Sequence, residues 1–540
     1  MTPAGGRLLL AALLTILIRS ASAAPIVEQT PCPNYSYYSQ QRHEPFSPGA
    51  YSLSYMRPEP ACRTFNSSGV EQAITRMNGT IYDPDLFRLF ENTYPSTLDT
   101  AIKWHGVAAN NSDEELTFVI TGDINAMWIR DSANQIAPYK TVLDSKDSDV
   151  ASVFRGVINL QSRYLVQYPY CNSFNPPEES EIKFTPNSAG YTVFPPYDYQ
   201  VVFTCNFELD DFGGFLQLSH DYYERTGDID FFGKFQWIYA VQSILRASRA
   251  MQQPTYAPNG TWLEPEYRFS SLTRTSFGTL GNNGFSYPVN YTGLVRAPFR
   301  PSDDAAVFDF GIAANMMLSR YLSSTAEIMA QLPSAPTGLA QEMRDLATQI
   351  QSGIERFGIV TAPNGAQIYA YEIDGFGGRN LMDDANVPSL LSAPFLGYTP
   401  ANNTIYRNTR DFVLSRMNPW YCEGPVINGV GSPHIRPGAA WPMASIIRIF
   451  TSDDDEEIEG QLREILRSTD GLGLMHESVD SWDAGRWTRQ WFTWANSLFG
   501  QMILDLEERK PHLLKLSYQP GPMLGVGDGW DGPGPAGGGP

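Results

Sequence analysis

Apolar residues recur at helical spacing through most of this chain. Eleven segments show the repeat of a helix with one buried face, and they cover residues 132–145, 148–168, 208–226, 228–252, 304–324, 336–356, 383–393, 406–417, 438–450, 455–468 and 488–508. Eleven helices are one short of six pairs. Strand-like runs are few and lie between the helices, at residues 116–121, 192–194, 200–205 and 367–373. Because strands and helices do not alternate regularly, the pattern predicts an all-α fold and disfavours a parallel sheet.

The two ends of the chain lack this periodicity. Residues 1–23 have the charged start, short apolar run and small residues of a secretory signal peptide, and the run is too short to span a bilayer. Residues 24–75 are rich in Pro, Ser and Tyr and are expected to form an extended N-terminal arm. Residues 518–540 are rich in Gly and Pro and are expected to be a disordered tail. The helical body is therefore expected at residues 76–517.

The composition limits the classes of molecule that the protein can bind. The 540 residues carry a formal net charge of -20, which would repel nucleic acid and anionic membranes but allows a neutral ligand rich in hydroxyl groups. Asn-x-Ser/Thr sequons suit a glycosylated, secreted protein, and they occur at Asn34, Asn66, Asn78, Asn110, Asn259, Asn290 and Asn402. We expect a secreted monomer with no nucleic-acid or membrane partner.

The five cysteines show no metal-ligand spacing, so up to two disulfides and one free thiol are expected. Cys32 and Cys62 could tie down the N-terminal arm. Cys171 and Cys205 bracket a loop rich in Pro, Asn and Tyr, and we hypothesise that they form a disulfide. The alternative is that both are buried thiols.

The densest candidate site is the stretch from Thr121 to Tyr139. Asp123, Trp128, Arg130 and Asp131 follow each other closely, and the next residue, Ser132, is expected to be a helix N-cap. An aromatic ring beside carboxylates and a guanidinium can stack on a sugar and bind its hydroxyls through paired hydrogen bonds. The alternative is a turn held by an Arg–Asp pair, with the tryptophan in the core.

Four further stretches concentrate acidic and aromatic residues. They are Phe207 to Phe212, Arg300 to Asp304, Met382 to Pro388 and Met475 to Ser478. The first three precede helical patterns and can also be interpreted as helix caps. Glu477 lies in a loop, outside the tryptophan repeat at positions 487, 491 and 494, which is more typical of a core.

Other catalytic classes fit poorly. Gly431-Ser-Pro-His434 lacks the strand and helix that flank a hydrolase serine, and the sequence contains no His-Glu-x-x-His motif and no phosphate-binding glycine loop. The excess of carboxylates and aromatic residues matches glycoside hydrolysis, which needs an acid, a base or nucleophile, and rings that hold the sugar.

These motifs together resemble glycoside hydrolase family 125. Thr121 to Ser132, Glu208-Leu-Asp210, Arg300-Pro-Ser-Asp-Asp304, Met382 to Leu391, Gly431 to His434, His476-Glu-Ser478 and Trp494-Ala-Asn496 follow in the order of that family. The resemblance implies an (α/α)6 barrel of helical hairpins with long loops and a few short strands. It also implies an exo-acting, inverting α-1,6-mannosidase that requires no metal and no cofactor.

The resemblance also implies roles for individual residues. Asp210 would be the general acid and Glu477 the general base, so both are expected to face one cavity while Asp211 points elsewhere. The residues expected to bind the terminal mannose are Asp123, Trp128, Arg130, Asp131, Arg300, Asp303, Asp304, Asp384 and His434.

Three alternative functions remain open on sequence grounds. The chain could be a glucoamylase-like exo-glucosidase, a calcium-dependent α-1,2-mannosidase, or a catalytically silent mannan-binding protein on the same scaffold. The substrate is expected to be either a mannan or a glycoprotein N-glycan.

Overall fold

A computed structural model describes residues 32–187, 190–273 and 278–520. The predicted signal peptide and most of the predicted tail lie outside these residues. The helices of the described part are α1 (Tyr35–Tyr38), α2 (Ser68–Thr80), α3 (Pro84–Thr93), α4 (Ser96–Thr100), α5 (Ile129–Ile136), α6 (Asp149–Gln167), α7 (Leu209–Thr226), α8 (Ile229–Phe232), α9 (Trp237–Met251), α10 (Gly281–Gly284), α11 (Ile312–Met329), α12 (Leu339–Gly353), α13 (Thr404–Val413), α14 (Pro442–Phe450), α15 (Asp455–Arg467) and α16 (Thr493–Arg509).

The strands are short and form small antiparallel sheets of two or three strands in the connections between helices. They are β1 (Ile102–Ala108), β2 (Asn111–Val119), β3 (Met127–Trp128), β4 (Ser173–Phe174), β5 (Tyr191–Phe194), β6 (Val202–Thr204), β7 (Arg268–Ser271), β8 (Phe310–Gly311), β9 (Ile359–Thr361), β10 (Gln367–Tyr369), β11 (Glu372–Ile373), β12 (Arg379–Asn380), β13 (Tyr421–Cys422), β14 (Gly429–Val430), β15 (Ala439–Ala440), β16 (Ser478–Asp480) and β17 (Asp483–Thr488).

The helices form two layers. In the inner layer α5 packs against α7, α7 against α11, α14 against α16, and α16 against α5, so the end of the chain closes on its beginning. The outer layer packs on this ring, with α6 and α9 paired, α12 on α11 and α15 on α14. The (α/α)6 barrel is confirmed.

Burial explains why these helices take these places. The first eleven residues of α7 are all buried, and α16 is buried from Thr493 to Gly500, so both suit the inner ring. In α15 the buried residues recur at helical spacing between acidic residues, as in a surface helix with one apolar face. No helix in the described ranges is long and apolar enough to cross a membrane.

The predicted helix at residues 383–393 is wrong, because this segment forms buried bends and turns. The Asp383 carboxylate accepts hydrogen bonds from the backbone N–H groups of Leu390 and Leu391, at 2.9 and 3.0 Å. Ser389 and Ser392 bond each other's backbone in the same way, and Pro388 cannot donate a helical hydrogen bond. Side chains therefore replace the helical pairing that the apolar pattern predicts.

Other boundaries also differ from the sequence prediction. Helix α11 begins at Ile312 rather than 304, and α16 begins at Thr493 rather than 488. Ser132 is not an N-cap: it lies inside α5 and its hydroxyl donates to the carbonyl of Trp128 at 2.6 Å. Helix α5 is capped from another helix, because Asp211 accepts a hydrogen bond from the backbone N–H of Arg130 at 3.0 Å.

The N-terminal and C-terminal ends of the helical body are both held in place, one by a disulfide and the other by hydrogen bonds to Asp83. A Cys32–Cys62 disulfide closes the arm, and α2 crosses the expected arm boundary at residue 75. At the other end, Tyr518 N–H donates to Asp83 at 2.7 Å and the Gln519 amide donates to the same carboxylate. The ordered body therefore continues beyond residue 517. The second predicted disulfide, Cys171–Cys205, is confirmed, with its Cα atoms 3.8 Å apart, and Cys422 is a free, buried thiol.

Candidate active site

A cavity of about 220 Å³ lies where the inner helices begin. It is lined by Thr121, Ile124, Trp128, Arg130, Asp131, Pro301, Ser302, Asp303, Asn386, His434, Trp441, Glu477, Arg489, Phe492 and Trp494. Residues from every candidate motif except Glu208-Leu-Asp210 meet here, although they are far apart in the chain. A site of this size is below the ~300–1,000 Å³ typical of pockets for drug-sized ligands, so it suits a single monosaccharide.

The entrance to α5 is shaped by a glycine. Gly122 has φ of 131°, and a Cβ atom there would lie 2.0 Å from the carbonyl oxygen of Trp491. This close approach joins the loop before α5 to the loop before α16, since Asp123 N–H donates to the same carbonyl. The two loops therefore form one wall of the cavity.

The Arg130 guanidinium is buried at the centre of a group of carboxylates. Its Nη1 contacts Glu208 Oε2 and lies 3.2 Å from Asp210 Oδ2, while its Nη2 lies 3.3 Å from Asp131 and 3.9 Å from Asp303. Four carboxylates thus surround one cation. Burial and the neighbouring negative charges raise the pKa values of Glu208 and Asp210, so this cluster retains protons at a pH where exposed carboxyls have lost theirs.

Asp303 is the member of this cluster that is most open to the cavity, with 35% of its side chain exposed. Its Oδ1 accepts hydrogen bonds from Trp128 Nε1 and Asn172 Nδ2, both at 2.9 Å. Although burial would raise the pKa of Asp303, Arg130 and hydrogen bonds from Glu208 and Trp128 hold it below its usual value. Its backbone is left-handed, with φ of 65°, a conformation that is uncommon outside glycine and here aims the carboxyl into the cavity.

Glu477 lies in the same cavity and is held by two donors. Thr488 Oγ1 donates to its Oε2 at 2.9 Å, and Arg489 Nη1 donates to its Oε1 at 3.2 Å. Arg489 is itself positioned by Asp123, whose Oδ1 accepts from its Nε at 2.9 Å. Asp123 therefore does not line the cavity but orients the arginine that contacts Glu477.

His434 enters the cavity beside Asp304. Its Nδ1 lies 3.1 Å from Asp304 Oδ1. Burial alone would lower the pKa of His434, but Asp304, with Glu477 and Asp303 nearby, raises it to about 9. The imidazole is thus a cation at neutral pH.

Two of the predicted binding residues, Arg300 and Asp384, hold loops of the cavity wall in place but do not line the cavity. Arg300 forms a buried ion pair with Glu372, whose other oxygen accepts from the backbone of Val307, so it fixes the loop that carries Asp303. Asp384 accepts from Ser302 Oγ at 3.1 Å and from the Asn386 amide at 3.1 Å. Neither side chain reaches the cavity.

The expectation that Asp210 faces the cavity is wrong. Its side chain is 0% exposed, its Oδ2 contacts Arg130, and it lies beneath the cavity wall. A general acid must reach the departing oxygen, and of the carboxylates around Arg130 it is Asp131 and Asp303 that line the cavity. Asp211 does point elsewhere, as expected, since it caps α5.

Several buried polar atoms of the lining residues have no hydrogen-bond partner among the described residues. They are Arg130 Nε, Trp441 Nε1 and Trp494 Nε1, whereas Asp131 Oδ2 lies 3.3 Å from the Arg130 guanidinium and can still accept a hydrogen bond from a ligand. A buried polar atom without a partner is costly, and a polyol that lies against it can supply the missing hydrogen bond. The lining therefore offers both donors and an acceptor to a ligand rich in hydroxyl groups.

Some lining residues were missed from the sequence. Arg489 follows a strand in a stretch without a motif, and Trp441 lies in an apolar run that resembles a core helix. Trp494 belongs to the Trp-Ala-Asn motif, but its spacing from Trp487 and Trp491 is typical of a core stripe. That stripe is not on one helix, since Trp487 is in β17 and Trp491 precedes α16.

The chain is similar to known proteins across nearly all of this body. Residues 83–504 match the sequence model of the family described as metal-independent alpha-mannosidase (GH125). The meiotically up-regulated gene 157 protein of Schizosaccharomyces pombe is 45% identical over 487 residues, which cover 90% of this chain and 94% of that protein. A Streptococcus pneumoniae metal-independent alpha mannosidase, solved in a non-productive complex with alpha-1,6-mannobiose, is 31% identical with a TM-score of 0.73 and covers 82% of this chain and 99% of its own.

Proposed function

The chain belongs to the GH125 family of metal-independent α-mannosidases, and we propose that it hydrolyses terminal α-1,6-linked mannose with inversion at the anomeric carbon. The observation that carries this proposal is a cavity the size of one sugar that contains both Asp303 and Glu477. A single-sugar cavity favours exo-action. The α-1,6 linkage is supported by the mannobiose bound to the S. pneumoniae relative.

Glu477 is the proposed general base. In an inverting reaction, a water oxygen bonds to the anomeric carbon while the bond from that carbon to the departing oxygen breaks. Glu477 takes the proton of this water. Hydrogen bonds from Thr488 and Arg489 fix the carboxylate, so one orientation of the attacking water is favoured.

Asp303 is the proposed general acid, and the buried Glu208 is the proposed source of its proton. Asn172 Nδ2 donates to both carboxyls at 2.9 Å, which holds them together. Burial and the Asp303 charge raise the pKa of Glu208, so Glu208 keeps the proton that the pair shares. Glu208 passes its proton to the Asp303 carboxylate, and the protonated Asp303 gives a proton to the departing oxygen as the bond from that oxygen to the anomeric carbon breaks.

The mannose is proposed to lie between Asp131 and the two indole N–H groups of Trp441 and Trp494. The two indole N–H groups have no partner among the described residues and can donate to sugar hydroxyls, and the Asp131 carboxylate, which is paired with Arg130, can accept from them. The charged His434 on another side of the cavity would stabilise negative charge on the substrate or on the carboxylates.

A linkage panel tests this proposal. The protein is incubated with α-1,6-mannobiose, α-1,2-mannobiose and maltose, and the anomer released first is followed by proton NMR. We expect release of β-mannose from α-1,6-mannobiose alone, which Glu477→Gln abolishes while mannoside binding persists. Glu423→Gln, at a surface carboxylate paired with Arg416, is the matched control.

Each alternative predicts a different result in the same panel. A glucoamylase-like enzyme would cleave maltose, and an α-1,2-mannosidase would prefer α-1,2-mannobiose. A silent mannan-binding protein would bind mannosides and release none, although the carboxylates in the cavity disfavour that outcome. Release of α-mannose as the first product would rule out inversion.

We also propose that the protein is a secreted, glycosylated monomer that acts on mannan or on N-glycans. The support is the signal-like sequence of residues 1–23 and seven sequons whose asparagines are all exposed. Mass spectrometry of the secreted protein, with light scattering for its size, tests both points.

A further inference from the structure

A second region of the surface carries aromatic rings that the proposed reaction does not use. A cavity of about 500 Å³ is lined by Tyr287 and Phe376, and one of about 190 Å³ is lined by Tyr256 and Trp262. The two cavities share Ser286, Tyr287 and Pro288. We call the combined surface the aromatic groove, defined by Tyr256, Trp262, Tyr287 and Phe376.

The rings of the aromatic groove are unusually exposed. Tyr256 is 49%, Trp262 50%, Tyr287 51% and Phe376 58% exposed. Single exposed aromatic residues are ordinary, but a contiguous group that lines cavities indicates a surface that is covered in the functional protein.

Two sequons lie at the edges of this groove and share one local pattern. Tyr256-Ala-Pro-Asn259-Gly-Thr261 and Tyr287-Pro-Val-Asn290-Tyr-Thr292 each place a groove tyrosine three residues before the asparagine and a threonine two residues after it. Both asparagines are exposed. Among the seven sequons of the chain, these two alone have a tyrosine at that position.

Backbone hydrogen bonds place Asn259 in the turn between Tyr256 and Trp262. Ala257 N–H donates to Thr261 at 2.9 Å and Gly260 N–H donates to Ala257 at 2.8 Å, which makes Asn259 part of a tight hairpin tip. At the base of this hairpin Tyr256 and Trp262 are bridge partners. A sugar linked to Asn259 would therefore start within reach of both rings.

Asn290 has the corresponding position at the larger cavity. Its backbone N–H donates to the carbonyl of Asp374 at 2.9 Å, and Asp374 lines that cavity. Its neighbours Tyr287 and Pro288 line both cavities. Each asparagine thus lies close in the chain to residues that line one part of the groove.

We propose that Asn259 and Asn290 carry N-linked glycans whose first sugars lie along the aromatic groove. The apolar face of an N-acetylglucosamine ring can stack on an aromatic ring, and a covalent link gives it a high effective concentration there. Arg296 Nε, buried in the smaller cavity and without a hydrogen-bond partner in the described ranges, offers a donor to a glycan oxygen. This inference rests on the proposed secretory route and not on the proposed reaction.

Glycan mapping and oxidative footprinting test the inference on the full chain secreted from a eukaryotic host. Site-resolved mass spectrometry should find both asparagines occupied. Removal of the whole glycans by a peptide N-glycosidase, or separately by Thr261→Ala and Thr292→Ala, should raise hydroxyl-radical oxidation of Trp262 and Phe376 severalfold. Trp482, which is 65% exposed and outside the groove, is the control ring and should not change. Thr80→Ala, which removes the Asn78 sequon in α2, is the control glycan.

The results that would contradict this inference differ from those that would contradict the proposed mannosidase activity. Occupied sequons elsewhere with Asn259 and Asn290 unmodified would overturn the inference, as would groove oxidation that glycan removal leaves unchanged. Protection of the rings by added α-mannoside oligosaccharide in the glycan-free variants, with no protection by the native glycans, would assign the groove to substrate instead. A protein without any glycan would overturn both this inference and the secretory proposal, while hydrolysis of mannobiose would be unaffected.

Discussion

At the level of single residues, carboxylates that belong to similar sequence motifs differ in whether they line the cavity. Asp210 and Asp303 both belong to motifs of the family, and both lie near Arg130. Only Asp303 is open to the cavity. A buried carboxylate can tune the charge of a neighbour, but it cannot protonate an oxygen that it does not reach.

Asp303→Asn should therefore lower kcat for α-1,6-mannobiose by about 10²- to 10⁴-fold. With a nitrophenyl mannoside the loss should be much smaller, because that leaving group departs without a proton. Kinetics with both substrates measure this difference. Asp210→Asn, which disturbs Arg130 without removing the acid, should lower both rates equally; a loss confined to mannobiose would return the acid role to Asp210.

The raised pKa of His434 predicts how stability and activity change at alkaline pH. Its pKa is raised from an ordinary 6.5 to about 9 by Asp304 and nearby carboxylates, so the folded state binds this proton more tightly than the unfolded chain. The stabilisation is fully present below about pH 6.5 and is lost as pH rises through about 9. Melting temperature and kcat/KM should both fall between pH 8 and 10, and His434→Gln should flatten both profiles. An unchanged profile in the variant would show that another group titrates there.

Among the helices and strands, the site depends on short connections as much as on the barrel. The sheet β3–β4–β6 carries Trp128 and lies beside Asn172, and the Cys171–Cys205 disulfide joins the segments next to β4 and β6. The disulfide thus fixes the wall that positions Asp303 through Trp128.

Replacement of both cysteines of this disulfide by serine should lower the free energy of unfolding by about 3 to 4 kcal/mol, since the bridge closes a loop with a separation of 34 residues. Urea denaturation measures the loss. The Cys32–Cys62 disulfide, with a separation of 30, is the control. Its removal should cost a similar amount of stability but leave kcat unchanged, whereas loss of Cys171–Cys205 should lower kcat as well.

The sequence predicted most helices because each buries a face with a 3.6-residue repeat. It failed at residues 383–393, where Asp383 and two serines satisfy the backbone instead. It also missed α2 and α3, which follow an arm without periodicity. The motifs identified most of the cavity wall, but not which member of each motif faces the ligand, because that depends on packing between distant segments. Arg489 is the clearest case: its role arises from contacts with Asp123 and Glu477.

For the molecule as a whole, charge is the dominant feature. A net charge of -20 means that divalent cations will bind weakly at many surface positions, so an effect of calcium on stability would not by itself indicate a catalytic metal. Beside the cavity, Glu208, Asp210 and Asp211 bring oxygens within 4.8 Å of one another, which is close enough to hold an ion. All three contact Arg130 instead, through its guanidinium or its backbone N–H, so the positive charge is supplied by the chain itself.

Exhaustive chelation should therefore leave kcat unchanged. The experiment compares hydrolysis of α-1,6-mannobiose before and after dialysis against a chelator, at about 0.15 M salt so that weak surface binding of cations is screened. The melting temperature is measured on the same samples, because a change in stability alone would report surface ions and not the site. Arg130→Lys gives the matching test of the local charge: a lysine keeps the charge but cannot contact Glu208, Asp210 and Asp131 at once, so activity should fall steeply. Loss of turnover in chelator that calcium restores would instead favour a calcium-dependent α-mannosidase mechanism and would remove the electrostatic role assigned to Arg130.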